Sequence, residues 1–376
     1  MQGSFRLGRI FGLSIEIHYT WFIVFLLVAL LLSLGTLPGL IPNLSLWYSW
    51  VLGIAVTVLF FGSVLAHEVA HSLVARTQGI EISGITLFIF GGVARMTEEP
   101  RKPSAEFKMA AAGPAASIAL GVFFWALSYL LQLQGASQPV WVASRWLGYI
   151  NLVLAVFNLA PGLPLDGGRL FRAILWHFTG DFRRATHIAS IGGQVFGYLL
   201  MAYGFFNLFA RPSGWIYGLW WIFIGWFVVE AARSSYQQML LRRALSGLSV
   251  RSIMTPEVTT VSPDITLQEL VENYFLRLNY AAFPVTTDGE IRGMVELSHV
   301  RQVPREQWAS TRVADVVEPL KPSQLLKPSD DAWEALSRMA GTGQGRILVT
   351  EGGSLVGIVS RTNVMRLLRT KLELGL

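Results

Sequence analysis

The sequence of 376 residues contains no cysteine, which excludes disulfide bridges, cysteine-ligated zinc and a thiol nucleophile. Charge is also scarce, because Asp, Glu, Lys and Arg make up 14% of the chain against about 25% in an ordinary globular domain. Hydrophobic residues account for 52% of the chain, and the mean hydropathy is +0.47. This composition excludes a disordered protein and argues against a purely soluble one.

The charges are unevenly distributed along the chain. Residues 1–245 hold 16 basic and 9 acidic side chains, whereas residues 246–376 hold 14 and 15. In the first part, the basic residues stand between long apolar runs, which is typical of membrane topology and not of nucleic-acid binding. The sequence therefore predicts a membrane domain over 1–245, a soluble domain over 246–376, a lipid bilayer as surroundings and no nucleic-acid partner.

Six runs with little or no charge approach or exceed the length of about 20 residues that a membrane-spanning helix requires. They are Thr20–Leu37, Leu46–Ala66, Met109–Ser144, Trp146–Leu165, Ile188–Ala210 and Pro212–Val229. Glycine and proline mark connections at Gly35–Pro42, Gly135–Pro139 and Arg211–Gly214. Arg and Lys cluster before the first run, after the even-numbered runs and hardly elsewhere. This pattern predicts a multi-pass protein of the cell membrane with both termini in the cytoplasm.

Between the second and third runs, the segment Glu81–Phe90 is rich in β-branched and aromatic residues. Gly91 and Gly92 follow it and lead into a second short segment, Val93–Met96. The pattern predicts a short membrane-associated β-hairpin. Such a hairpin is either a structural flap or a device that holds an extended ligand by strand addition.

The sharpest motif is His67-Glu68-Val69-Ala70-His71, at the predicted cytoplasmic end of the second helix. On a helix, His67 and His71 lie one turn apart and present two imidazoles to the same point, with Glu68 beside it. Two imidazoles, one further ligand and an open water position define a catalytic zinc site, in which Glu68 would transfer the proton. The alternative is that these residues cap a membrane helix near the lipid headgroups, which is a costly use of ionisable groups at membrane depth.

A third metal ligand must come from another part of the chain. Asp166 follows a segment that Pro161 and Pro164 break and precedes Gly167 and Gly168, which permit close backbone approach. The predicted topology places it at the depth of the two histidines. Its alternative role is to cap the helix that follows.

These motifs together resemble the site-2 protease family of intramembrane zinc metalloproteases. The resemblance covers residues 1 to about 240. It implies that His67, His71 and Asp166 bind Zn2+ and that Glu68 is the catalytic carboxylate. It also implies that Asn158 helps to hold the substrate near the metal. The segment Gly113–Ser117 resembles the family as well, and we interpret it as small-residue helix packing without a chemical role.

From about Leu248, short strands alternate with amphipathic helices, and the order appears twice, over about 250–305 and 312–370. This repeat resembles a tandem cystathionine-β-synthase (CBS) pair, a soluble α/β unit. Members that bind adenine nucleotide commonly end each repeat with an aspartate that holds the ribose. His299 and Asn363 stand at those positions here. We therefore expect weak or no ATP binding, and we expect that the pair can form a homodimer.

The sequence thus predicts a polytopic α-helical membrane protein with six transmembrane helices and a cytoplasmic CBS pair, from a prokaryotic cell. We expect it to hydrolyse a peptide bond in single-span transmembrane proteins near the cytoplasmic face, with access or activity controlled by the CBS pair. Two other classes stay open. One is a CBS-gated membrane transporter or channel, and the other is a catalytically silent membrane scaffold.

Overall fold

The computed structural model describes residues 3–89, 91–96, 100–210, 215–287, 290–320, 322–342 and 345–373. Phe90 of the predicted hairpin and the predicted connection Arg211–Gly214 lie outside the described residues. The chain divides into two compact units, Gly3–Met239 and Leu240–Leu376.

Long helices dominate the first unit. They are α1 (Thr20–Leu31), α2 (Leu37–Leu40), α3 (Leu46–Thr77), α4 (Pro103–Leu133), α5 (Gln138–Asn158), α6 (Asp166–Thr179), α7 (Phe182–Ala210) and α8 (Trp215–Leu245). A π-helical turn, Leu32–Thr36, joins α1 to α2. The last residues of α8 belong to the second unit.

Five helical segments within the described ranges are long and apolar enough to cross a membrane. They are Thr20–Leu40, Leu46–Thr77, Pro103–Leu133, Gln138–Asn158 and Phe182–Phe209. The sixth predicted run, Pro212–Val229, falls largely within α8, which is not among these five. The first unit is thus a membrane-embedded helical domain, and the count of six spans stays a prediction.

The predicted connection at Gly135–Pro139 coincides with the turn between α4 and α5, whereas the predicted start of the fourth helix at Trp146 is wrong. The run Met109–Ser144 contains the end of α4 and the start of α5, because the chain turns at Gly135, where φ is +74°. The next helix therefore begins at Gln138 and not at Trp146. Proline is tolerated there because the first turn of a helix lacks intrahelical partners for its N–H groups.

A β-sheet packs against the membrane helices of the first unit. Its strands are β1 (Ser4–Ile10), β2 (Leu13–His18), β3 (Ile82–Phe88) and β4 (Gly91–Met96), which lie in that order. β3 and β4 are antiparallel, as are β1 and β2, whereas β2 and β3 are parallel. Sequence reasoning found β3 and β4 and missed the first two strands. The predicted hairpin is therefore part of a larger sheet.

Buried and half-buried side chains alternate along β2, and this pattern explains how the sheet packs against the helices. Leu13, Ile15 and Ile17 are buried and form one cluster with Val69 of α3 and Met109 of α4. Because side chains alternate between the two faces of a strand, one face of β2 covers the helices near the His67–His71 motif. The sheet thus lies beside the candidate site.

An ion pair crosses the sheet on its other face. Arg95 of β4 reaches over β3 to Glu16 of β2, and the hydrogen bonds from Arg95 and Ser4 hold the pKa of Glu16 below its ordinary value despite some desolvation. Gly84 of β3 lies beneath this crossing, and a Cβ there would clash with Ser14 of β2, 2.6 Å from its carbonyl oxygen, and would also lie 3.1 Å from Arg95 Nη2. The pair joins strands that are not neighbours.

The second unit contains one sheet in the order β5-β6-β9-β8-β7. Its strands are β5 (Ala282–Thr287), β6 (Glu290–Glu296), β7 (Leu325–Leu326), β8 (Arg346–Glu351) and β9 (Ser354–Ser360). Its helices are α9 (Val250–Ile253), α10 (Leu267–Leu270), α11 (Leu276–Leu278), α12 (Leu297–Val300), α13 (Ala332–Thr342) and α14 (Arg361–Glu373). Each repeat contributes one antiparallel pair, β5–β6 and β8–β9, and the two main apolar clusters each contain residues of both repeats.

Candidate metal centre

The two motif histidines lie on the buried side of α3. His67 and His71 are 4% and 8% exposed, and their Nε2 atoms are 3.1 Å apart. The helix continues for six residues beyond His71, to Thr77, so both imidazoles stand on regular backbone and not at a frayed end. Their spacing of four residues therefore directs both Nε2 atoms to one point, as the sequence predicts.

Asp166 reaches that point from a different direction. It is the first residue of α6, and its Oδ2 lies 3.1 Å from Nε2 of both His67 and His71. Leu165, not Asp166, occupies the N-cap position, and no side-chain hydrogen bond caps the helix. The alternative that Asp166 serves as the N-cap is therefore wrong.

The loop before α6 is held by close backbone contacts. The amide of Leu163 donates to the carbonyl of Ala189 on α7 at 3.0 Å. Gly162 and Gly193 approach so closely that a Cβ on either would meet the backbone of the other segment. Glycine at these two positions thus lets the loop pack directly on α7, which helps to set where α6 begins.

The three donor atoms fit a tetrahedral metal ion. Ligand bonds of about 2.1 Å at tetrahedral angles put neighbouring donor atoms about 3.4 Å apart. In this chain, the three pairwise separations of the nearest donor atoms are all 3.1 Å. Two imidazole nitrogens and a carboxylate oxygen are ligands that zinc accepts, and they leave a fourth position open. Within the described part of the chain, this is the one such group of three or more residues.

One face of α4 supports both imidazoles. His71 Nδ1 donates to the carbonyl of Met109 at 2.7 Å, which leaves the lone pair of Nε2 free for a metal. His67 Nδ1 lies 2.9 Å from Ser117 Oγ, a hydroxyl that can accept in the same way. Gly113 lies between these two positions, and a Cβ there would lie 2.5 Å from His67 Nε2.

The interpretation of Gly113–Ser117 as packing alone missed these contacts. Met109, Gly113 and Ser117 recur every four residues, which is the spacing of the two histidines on α3. Two facing helices with the same spacing stay in register over two turns. That match is a signal in the sequence that could have identified these positions as supports of the histidines.

Glu68 and Asn158 line the same cavity as the three candidate ligands. The cavity has a volume of about 660 Å3, and its walls include residues of α1, α3, α8 and β4. Gly92 of β4 lies against Glu68, since a Cβ on Gly92 would lie 2.8 Å from the Glu68 carboxyl carbon. Asn158 is the last residue of α5. All five residues singled out from the sequence therefore border one space.

In the second unit, the two residues that stand where nucleotide-binding CBS members commonly have aspartate make internal contacts. Asn363 Nδ2 donates to Thr255 Oγ1 at 2.6 Å. His299 Nδ1 accepts from the amide of Glu296 at 3.3 Å, and its Nε2 lies 3.5 Å from a carboxylate oxygen of Glu318. Both side chains are engaged within the protein itself.

The chain is similar to known protein families and to individual proteins. Residues 55–143 and 132–202 match Peptidase family M50, and residues 250–306 and 313–370 match the CBS domain. The chain is 38% identical to a Mycobacterium tuberculosis protein named "Putative zinc metalloprotease Rip3", over 98% of this chain and 93% of that protein. It is 30% identical to "Zinc metalloprotease MJ0392" of Methanocaldococcus jannaschii, over 97% of this chain and 96% of that protein.

A solved structure is also similar. The site-2 protease from Methanocaldococcus jannaschii covers 61% of this chain and 94% of its own, with 29% identity and a TM-score of 0.43. The Rip3 and MJ0392 proteins, by contrast, match this chain over nearly its whole length, including both CBS repeats.

Proposed function

Because this chain belongs to peptidase family M50, we propose that it is an intramembrane zinc metalloprotease that hydrolyses a peptide bond of a transmembrane substrate near the cytoplasmic face. The observation that carries the proposal is the convergence of His67, His71 and Asp166 at 3.1 Å in a cavity that Glu68 also lines. We take its substrates to be single-span membrane proteins, and the support for a membrane-embedded substrate is that helices long and apolar enough to cross a bilayer border the cavity.

His67, His71 and Asp166 hold the zinc ion in this proposal. When bound, zinc lowers the pKa of a coordinated water and polarises the substrate carbonyl. The Met109 carbonyl and the Ser117 hydroxyl keep Nδ1 of each imidazole hydrogen-bonded, so that Nε2 faces the metal position. These contacts fix the orientation of both imidazoles in the absence of substrate.

Glu68 is the general base and acid. Its carboxylate accepts a proton from the attacking water and delivers a proton to the amine that leaves. It is next to His67 in sequence and lines the same cavity, so it stands beside the metal position without ligating it. Gly92 permits its close approach to β4.

The substrate lies extended along β4 in this proposal. A peptide bond in an α-helix is shielded, and its carbonyl is already hydrogen-bonded, so the segment to be cut must leave the helical state. β4 is the last strand in the order of its sheet, and Gly91–Ala94 line the cavity beside Glu68. Strand addition would therefore bring an extended segment to the catalytic carboxylate. Asn158 would hold that segment near the metal.

We also propose the membrane topology. Residues 1–245 form the protease domain with six transmembrane helices, the sixth being the apolar part of α8. Residues 246–376 form the CBS pair, and both termini lie in the cytoplasm of a prokaryotic cell. The support is the distribution of Arg and Lys, which fall before the first helix and after the even-numbered ones.

The CBS pair controls access or activity in this proposal and can form a homodimer. Helix α8 supplies the physical link. Trp220 and Phe227 of α8 line the cavity, whereas Leu245 of the same helix belongs to an apolar cluster of the second unit, against which Leu241 packs. The two units therefore share one continuous helix.

Metal analysis and a cleavage assay test the proposed function together. The purified full-length protein should contain about one zinc per chain and cleave members of a panel of single-span membrane proteins. Glu68→Gln is the matched control, which keeps zinc and fails to cleave. A protein that binds no zinc and cleaves nothing would contradict the proposal, and transport or conductance by that protein would favour a CBS-gated transporter or channel.

A further inference from the structure

A buried ion pair joins α4 to α6, the helix that begins with Asp166. Glu106 lies in the first turn of α4 and is fully buried. Its Oε1 accepts hydrogen bonds from both Nε and Nη2 of Arg172, the first at 2.8 Å. Arg169 Nε lies 4.0 Å from the same oxygen. Two guanidinium groups of α6 thus face one carboxylate of α4.

Stability alone does not account for this arrangement. Desolvation of a buried ion pair offsets much of its attraction, so apolar residues at the same place are often at least as stabilising. The second oxygen of Glu106, Oε2, is buried and has no hydrogen-bond partner within the described ranges. The pair instead fixes an orientation. The two hydrogen bonds from the Arg172 guanidinium to Glu106 restrain how α6 is placed against α4.

The orientation of α6 against α4 affects the metal site, because each of these helices carries part of it. Helix α4 carries Met109, Gly113 and Ser117, which contact the two imidazoles, and α6 carries Asp166 at its first position. We infer that the Glu106–Arg172 pair sets the position of Asp166 relative to His67 and His71. Both members are thus positioning residues that act through Asp166. The inference rests on the proposed metal site.

The inference is tested by measuring the zinc affinity of the full-length protein by chelator competition. The measurement is made in two backgrounds, the parent protein and the Asp166→Ala variant. Glu106→Gln removes the charge and keeps the shape, and Arg172→Lys keeps the charge and loses the two-point contact. Each is made in the parent and in Asp166→Ala. We expect a loss of affinity of about 10- to 100-fold in the parent, the usual effect of disturbing a partner of a metal ligand. In Asp166→Ala, we expect no further loss.

The comparison of backgrounds separates positioning from a general effect on the fold. An equal loss in both backgrounds, or unchanged affinity of both variants in the parent, would overturn the inference. If Glu106→Gln does not fold, as judged by thermal unfolding, Arg172→Lys decides in the same way. Glu351→Gln is the control, because it removes an exposed ion pair with Arg251 in the second unit and should leave affinity unchanged.

The same data distinguish failure of this inference from failure of the proposed function. A parent that binds zinc and loses affinity in Asp166→Ala supports the metal site, whatever the Glu106 and Arg172 variants show. A parent without zinc, or an Asp166→Ala protein with the affinity of the parent, overturns the metal site and this inference with it.

Discussion

Replacing Gly113 by alanine should weaken metal binding strongly without unfolding the protein. The new Cβ would lie 2.5 Å from His67 Nε2, 2.6 Å from His71 Cε1 and closer still to His71 Nε2, whereas ordinary contacts begin at 3.4 Å. The methyl group would therefore stand where the two Nε2 atoms converge. The shortfall of about 0.9 Å at His67 is too large for small adjustments.

The imidazoles cannot easily retreat from this methyl group. Each is hydrogen-bonded through Nδ1 to α4 itself, His71 to the Met109 carbonyl at 2.7 Å and His67 to Ser117 at 2.9 Å. Relief of the clash requires that these bonds break or that the two helices separate. Overpacking of this kind typically costs about 1–3 kcal/mol of stability, and the better helix propensity of alanine offsets about 0.5–1 kcal/mol of it. On this basis the free energy of unfolding should fall by about 2 kcal/mol.

Zinc content, chelator competition, thermal unfolding and cleavage together check this prediction. We expect zinc affinity to fall more than about 100-fold, beyond the usual effect of altering a partner of a ligand, and cleavage to be lost. Gly62→Ala on α3 is the matched control, because a Cβ there meets nothing within 4 Å. A Gly113→Ala protein with the zinc affinity of the parent would refute the proposed contact between α4 and the two imidazoles.

Four further predictions follow from the site and from the CBS pair. Glu68→Gln should keep zinc and lose cleavage by about 100- to 10,000-fold, because glutamine cannot accept the proton; elemental analysis and initial rates check this. His67→Ala and His71→Ala should each lose zinc, and Asp166→Ala should weaken its binding, whereas equal metal content in Asp166→Ala and the parent would place the third ligand elsewhere. Deletion after Ser246 should change the rate or the range of cleaved substrates, and an unchanged rate and range in a folded truncated protein would contradict gating. Calorimetry of the full chain with ATP should show weak or no binding, and tight binding would show that the ribose position does not require aspartate.

The spacing of a motif predicted the convergence of the side chains better than apolar runs predicted helix ends. His67 and His71 needed only a regular helix. Asp166 was placed near them by the break after Pro161 and Pro164 together with the predicted topology and the family resemblance. Gly135 and Pro139 marked the turn between α4 and α5 in the sequence. The start of α5 was nevertheless placed at Trp146, because the apolar run continues past the turn as far as Ser144.

The first two strands escaped prediction for a different reason. Most residues of β1 are exposed, and its charged and apolar residues do not alternate regularly, so the pattern of a half-buried strand is missing. β2 does alternate and follows β1 after a two-residue turn at Phe11 and Gly12, so this local hairpin signal was overlooked. Its other partner, β3, lies more than 60 residues away in sequence. Pairing over such a distance is decided by tertiary packing, which a local window of sequence does not contain.

The hydrogen bond from His71 to Met109 has a consequence for how this site tolerates change. Its acceptor is a backbone carbonyl, which every amino acid carries, so no substitution at position 109 deletes it. A saturation scan would therefore rank position 109 by the volume of its side chain and would miss its part in orienting a ligand. An ester in place of the amide after residue 109, which weakens that carbonyl as an acceptor, would expose a dependence that genetic variation leaves hidden.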